Sequence, residues 1–348
     1  MKRNLFSKII ALTLALVVAT LFFACKRNKE PAPEKIYTVA IPDGAPLLSL
    51  AKMQSDDPVI NRIDLNYQIL SSDQLVAALS NQEPDFAIAP INVCAMMYNN
   101  GSGYRFAGVS IWGILHIVSS ESEPNIDSLK GETIIAFAKA NTPGITLRAI
   151  LDQYEIKYVE DQGSDYIPAS DEVHIIYLKD AVLVKDALVA GKINDLEIKF
   201  ALLAEPVVTQ IATATQNKYS AKINLQDLWQ LKNNDEKYPQ AGLIFHERIF
   251  QLQEIVFIDQ FIALAKLSAT WAKENPSEAA ELAKTLGSTG LPSGAVVANA
   301  VNAGRLPLDF VGAKESKLAV DKYLKLIYEM SPTLIGGKVP GVPFYYDK

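Results

Sequence analysis

The side chains able to do chemistry are few and scattered along the 348 residues. His116, His174 and His246 stand far apart, with no metal-ligand spacing between any two. His246-Glu247 begins the pattern of a helical zinc protease, but Phe250 occupies the place of the second ligand. The chain holds no Gly-x-Ser-x-Gly turn to expose a nucleophile. It holds no Gly-x-x-x-x-Gly-Lys-Ser/Thr or Gly-x-Gly-x-x-Gly loop to cradle phosphates. The expectation is a protein that binds rather than converts, with no catalytic residue, metal or cofactor. An enzyme or a sensor built on the same scaffold is the rival reading, and turnover by the pure protein would establish the enzyme.

What recurs instead is one kind of junction. Ile41-Pro42-Asp43-Gly44, Ala89-Pro90-Ile91-Asn92, Asn141-Thr142-Pro143-Gly144 and Glu205-Pro206 each stand between an apolar β-branched run and a helical pattern. Proline in a first helical turn forfeits no hydrogen bond and fixes the entry angle. Such junctions also sit where open α/β sheets bind ligands, at carboxyl ends of strands beside free helix N–H groups. Capping alone explains any one of them; four together suggest a cleft.

The elements that would position these junctions alternate. IYTVAI, IDLNYQIL, DFAIA and YRFAGVS read as strands, with helices between them near Leu47–Met53, after Ser71-Ser72-Asp73, and from Pro90 to Tyr98. WGILHIVSS runs on from Trp112 without a helix, and the alternation then restarts. ETIIAFA, VHIIYL and IKFALLA are strands; TPGITLRAILDQY, AVLVKDALVAG and PVVTQIATAT are helices. AGLIFHERIF, near Gly242, looks like a return crossing, and the remainder reads as helical, with Asn275-Pro276 opening a new helix. The expectation is an α/β chain of mostly parallel strands in two lobes. Lobe one takes residues 36–118 and, mainly helical, 242–348; lobe two takes 119–241.

The front end reads differently. Lys2, Arg3 and Lys8 precede sixteen residues, Ile9 to Ala24, interrupted only by Thr13 and Thr20. At about 1.5 Å per residue that run spans roughly 24 Å, short of a ~30 Å hydrocarbon core, so residues 1–24 read as an export signal. Residues 25–35 follow as a charged, proline-bearing tether. Without residues 1–24 the chain carries 30 Lys and Arg against 39 Asp and Glu, a net charge of −9. A surface this acidic does not suit nucleic acid. Cys94 is then the only thiol besides Cys25, and its apolar setting, INVCAMMYN, reads as core packing.

Leu21-Phe22-Phe23-Ala24-Cys25 resembles a bacterial lipobox, which implies acylation of Cys25 and anchoring to the membrane on its extracytoplasmic side. PDFAIAPINVCAMMYNNG followed by YRFAGVSIWGILHIVSS resembles the solute-binding lipoproteins of bacterial ABC importers, in the branch for nitrate, sulfonate, taurine and thiamine pyrimidine precursors. IDSLKGETIIAFAKANTPGITLRAIL, LLAEPVVTQ, AKENPSEAAELAKTLG and the terminal IGGKVPGVPFYYDK extend the likeness over Ile36 to Lys348. It implies a two-lobed type II periplasmic-binding-protein fold with two crossing segments, a small-molecule ligand, ABC permease subunits as partners and a monomer. The expected ligand-binding residues are Asp43, Gly44, Ser71, Ser72, Asn92, Trp112 and Gly113 from lobe one, with Asn141, Thr142 and Glu205 from lobe two. Ser71, Ser72, Asn92, Asn141 and, most clearly, Thr142 could instead cap their own helices, the commoner use of such residues. Trp112 could be hinge packing or a stacking wall, and Asp43 and Glu205 could be solvated loop acids. With Lys139 the only base near these loops, two acids and an aromatic favour a neutral or cationic nitrogen heterocycle over an oxyanion.

Overall fold

A computed structural model describes residues 35–58, 60, 63–252 and 254–347. The export signal, Cys25 and residues 25–34 of the tether lie outside the described residues.

The first lobe is built around a six-stranded sheet. β1 (Lys35–Pro42), β2 (Ile63–Leu70) and β3 (Phe86–Pro90) run parallel, joined by helices α1 (Ala45–Asp56) and α2 (Ser72–Ser80). After α3 (Ile91–Asn99), strand β4 (Tyr104–Trp112) rejoins the sheet, and the chain leaves it at Gly113. β5 (Leu115–Ser119) already belongs to the second sheet. There it pairs antiparallel with β11 (Phe200–Ala204) and β12 (Ser220–Asn224). β6 (Thr133–Phe137), β7 (Lys157–Glu160) and β8 (Glu172–Leu178) complete that sheet in parallel with β11, in the order β12-β5-β11-β6-β8-β7. Helices α4 (Thr142–Gln153), α5 (Ala181–Ala190) and α6 (Val207–Ala214) connect these strands, with a small β9 (Lys192–Ile193) and β10 (Leu196–Glu197) hairpin between α5 and β11.

The return passage is helix α7 (Leu225–Lys232), followed by β13 (Pro239–His246), which inserts antiparallel between β3 and β4 of the first sheet. β13 thus runs against both its neighbours in the first sheet and β5 against both of its own in the second, and each borders a passage between lobes. The sheet changes at residues 113–114, a few residues ahead of the division drawn at 118/119. The return is complete at Pro239, just ahead of 241/242. From there the chain is helical: α8 (Arg248–Gln251), α9 (Ile255–Glu274), α10 (Pro276–Thr285), α11 (Gly294–Asn302) and α12 (Ala313–Met330), with the short edge strand β14 (Val311–Gly312) before the last.

Packing follows from which residues each element buries. On one face of the first sheet, Phe86 stacks on Phe261 of α9 with ring centroids 3.8 Å apart, amid Val39, Ile41, Leu47 and Ile88. The outer face of the second sheet buries Val118, Ile135 and Leu203 against Val184 of α5 and Val208 of α6. A third cluster runs unbroken from α3 through Cys94 and Trp112 to Ile145, Trp229 and Tyr323, so the lobes share an apolar core at the passages. Burial of this kind contributes roughly 25 cal/mol per Å² of apolar surface. The C-terminal residues tie back to lobe one: Arg105 donates to the carbonyls of Pro343 and Tyr345, and Tyr346 N–H to that of Phe106.

Strand register decides where the junctions lie. Pro42 pairs with Leu70, Pro90 with Ala241, and Trp112 with Pro239, all at one edge of the first sheet. Ala204 pairs with Leu115, and Phe137 with Leu178, at one edge of the second. The two passages join these edges, so the edges face each other.

Candidate functional site

The seam between the lobes begins at the hinge. Three successive backbone N–H groups, those of Gly113, Ile114 and Leu115, donate to Tyr238 C=O (3.2 Å), Gln240 Oε1 (3.4 Å) and Tyr238 Oη (3.3 Å), zipping the outgoing passage to the returning one. Gly113 is required here by space: an added Cβ would overlap Gln226 Oε1 and the Tyr238 ring.

Beyond the hinge, single polar contacts hold the lobes together. Thr142, at the start of α4, donates its hydroxyl to Gln240 C=O of β13 at 3.0 Å. Thr146 and Tyr323 of α12 share a hydrogen bond at 2.7 Å. Asn92, in the first turn of α3, donates from Nδ2 to Ala140 C=O of lobe two at 3.1 Å and to Leu334 C=O of the C-terminal turn at 3.4 Å. Arg305, after α11, donates Nε–H to Glu205 Oε1 at 2.7 Å and Nη2–H to Thr209 Oγ1 at 2.8 Å.

The expected binding residues divide into those at the seam and those with local duties. Asn92, Gly113, Thr142 and Glu205 take part in the contacts just described, and Asn141 lines a groove beside Asn92. Ser71 caps α2 in a reciprocal box with Gln74, and Ser72 is the exposed first residue of that helix. Trp112 is 6% exposed and donates its indole N–H to Asp309 C=O at 3.1 Å, which is hinge packing rather than an open stacking wall. Gly44 adopts φ 99° to start α1.

The two acids are placed differently from the role expected of them. Asp43 accepts from Ser288 Oγ and from the backbone N–H groups of Gly44, Thr289 (2.9 Å) and Gly290 (2.8 Å), fastening β1 to the loop before α11. Burial pushes its pKa up, but these hydrogen bonds outweigh it and hold the carboxyl below its ordinary value. Glu205, 2% exposed, accepts from Thr209 N–H, Thr209 Oγ1–H and Arg305. Both carboxylates already have protein donors. They give no reason to expect a ligand N–H at either place, and the Arg305 charge offsets that of Glu205.

Arg305, Gln240, Tyr238 and Tyr323 were not legible as site residues. Arg305 stands alone in NAGRLP, and its partner lies 100 positions away in sequence. Only the faint signal of a lone base in an apolar surrounding pointed to it.

Between the lobes lies a groove of about 430 Å³, bordered by Val76 of α2, Asn92 and Met96 of α3, Ala140 and Asn141 before α4, and Leu334. Asp73 is its one charged residue. Asn92 is 2% exposed, and because its Nδ2 faces two carbonyls, its Oδ1 is fixed as the other branch, sealed and without a partner. Nearby Lys139 is held by Asp161 at 2.7 Å and Glu160 at 3.5 Å. Among the described residues, no group of three or more His, Cys, Asp or Glu side chains could hold a metal ion.

Two mixed α/β lobes, two passages and a helical C-terminal part make this the type II periplasmic-binding-protein fold. Solved structures of the same architecture include an ABC transporter protein from Parabacteroides distasonis, 22% identical with a TM-score of 0.70, covering 90% of this chain and 99% of that one. The periplasmic aliphatic sulphonate binding protein SsuA from Escherichia coli matches at 16% identity and a TM-score of 0.64, over 90% and 94% of the two chains. The ligand-binding component of an ABC-type import system from Staphylococcus aureus, with zinc bound, matches at 12% and 0.63, over 90% and 97%. No protein-family model and no curated protein matches the chain.

Proposed function

We propose that this protein is the solute-binding component of an ABC importer, anchored to a membrane of the cell envelope by acylated Cys25 on the extracytoplasmic side, and that its lobes (36–118 with 242–348, and 119–241) close as a monomer on one small molecule. The observation that carries this reading is the seam itself. Beyond the apolar core at the passages it is held by a few polar point contacts from strand ends and helix starts, beside a groove with an unpaired acceptor, Asn92 Oδ1. A sealed unpaired acceptor costs about 1–3 kcal/mol, which a ligand donor would relieve. Solved structures of this shape described as an ABC transporter, a periplasmic sulphonate binding protein and the ligand-binding component of an ABC-type import system support the same role.

The ligand class follows from that acceptor. No Lys or Arg borders the groove, its one charged residue is an acid, and most of its wall is apolar. An oxyanion would bring acceptors toward Asn92 Oδ1, whereas an N–H group would complete it. A small nitrogen heterocycle, such as a thiamine pyrimidine precursor, is therefore our reading. The sulphonate-binding neighbour and the start of α3, which no side chain caps, favour an anion such as sulfonate, taurine or nitrate as the second.

Native mass spectrometry of protein purified without denaturation tests the role. A retained small molecule, released on unfolding and not chemically altered by the protein, is expected. A solute that the pure protein converts to product would replace this reading with an enzyme.

A further inference from the structure

Helix α7 crosses the seam in the returning passage, and one of its faces is left with polar atoms unpaired. Gln226 is 8% exposed and Trp229 fully buried. Neither Oε1 nor Nε2 of Gln226 has a partner, and neither has Nε1 of Trp229. The two residues are three apart, so their side chains share one face of the helix. Buried side chains in native folds nearly always find partners, and three orphan atoms on one helical turn call for an occupant.

The surroundings indicate its shape. Trp229, Tyr238 and Tyr323 form an aromatic trio: Tyr238 and Tyr323 stack with centroids 6.0 Å apart, and Trp229 meets them edge-on at 6.0 and 5.5 Å. Tyr323 belongs to lobe one through α12, whereas α7 also packs on α4 and β5 of lobe two. Gln226 abuts Gly113 in the hinge. Parting the lobes would therefore open this face between flat rings.

We infer that the Gln226–Trp229 face of α7 reads the ligand, and that it takes a planar heterocycle with an amide-like edge, one N–H beside one acceptor. This rests on the solute-binding reading above and narrows its ligand. A carboxamide presents a donor and an acceptor in one plane, so its complement is the same pair reversed, as in a lactam or an amino-azine. Trp229 Nε1–H adds a donor for a further acceptor. A sulfonate or nitrate presents acceptors only and would leave Gln226 Oε1 unpaired. The three rings are fully buried against one another in this structure, and parting the lobes would turn them toward a flat solute.

Calorimetry with uracil, 2-pyridone and 2-aminopyrimidine tests this, with 1,3-dimethyluracil and methanesulfonate as controls. At least one of the three edge-bearing probes is expected to bind, with the N-methylated control at least about tenfold weaker. Gln226→Met should weaken that probe about tenfold or more, and Trp229→Phe should weaken it measurably. The ligand-free Gln226→Met protein should melt no lower than wild type, because the variant removes two unpaired atoms. A lower ligand-free melting temperature in Gln226→Met would overturn the proposal in favour of a structural amide served by ordered water only. Binding unchanged in both variants, equal binding of the N-methylated control, or no binding by any of the three would also overturn it. The solute-binding reading would then still stand or fall on the retained ligand, which the native mass measures separately.

Discussion

Arg305 of lobe one donates its Nε–H to Glu205 Oε1 of lobe two at 2.7 Å, and Thr209 bridges the pair by donating to Glu205 and accepting from Arg305. The carboxylate is wholly buried while the guanidinium is a third exposed, so the arginine supplies charge to a group that water cannot reach. Removing one partner of such a pair leaves the other uncompensated, which is costly. Arg305→Met is expected to lower stability by about 1–3 kcal/mol in urea unfolding. It should also enlarge the ligand-free radius of gyration, since parting the lobes rehydrates Glu205. An unchanged radius would mean that the pair braces the fold without governing closure.

Stability should fall on mild acidification. His116 is pushed down to about 4 by burial and by the nearby Arg305 charge, and His246 to about 4 by burial and Arg248. Both are neutral in the folded protein, whereas the unfolded chain takes up protons below about 6.5. The unfolded state thus binds more protons between pH 6.5 and 4, and stability is lost as pH falls through that window. Each unit of displacement corresponds to about 1.4 kcal/mol. Asp43, held below its ordinary value, should retain its contribution throughout. Melting temperature measured from pH 7 to pH 4 should decline, and His116→Gln should flatten part of that slope.

Asp43 gives a contrasting case. Asp43→Asn keeps one acceptor oxygen but puts an amide where Thr289 and Gly290 N–H groups donate. A loss of about 1–3 kcal/mol in unfolding free energy is expected. Ligand affinity should change little, because the carboxylate serves the loop before α11 rather than the seam. An affinity change as large as that of an Asn92 variant would return Asp43 to the binding residues.

Cys25→Ala should leave the fold intact and abolish acylation. Membrane fractionation and the mass of the N-terminus check this. Unchanged membrane association, with no acyl mass on the wild type, would rule out the anchor.

Much of the fold was legible because periodicity and junction chemistry agreed. IDLNYQIL is β2 residue for residue, and the Ser71–Gln74 box starts α2 where its sequence pattern places it. The elements that went unread are short and lie at edges or passages. β7 and β12 each border a sheet, and β12 fully buries only Ile223, so neither shows an alternating pattern. α7 is eight residues long with mixed polarity, since it serves two lobes at once. The site was legible by place but not by partner. Asn92 and Thr142 stood out as helix starts. Nothing local to Glu205 could reveal that Arg305 neutralises it, because charge pairing across 100 residues is written in the tertiary structure alone.

The central claim is that the lobes close on a solute, and small-angle scattering tests it most directly. Protein freed of its retained molecule by unfolding and refolding should have a larger radius of gyration than the protein as purified. Restoring the molecule should return it to the smaller value. Identical scattering in the three samples, with the solute shown by mass to be bound in the third, would contradict closure.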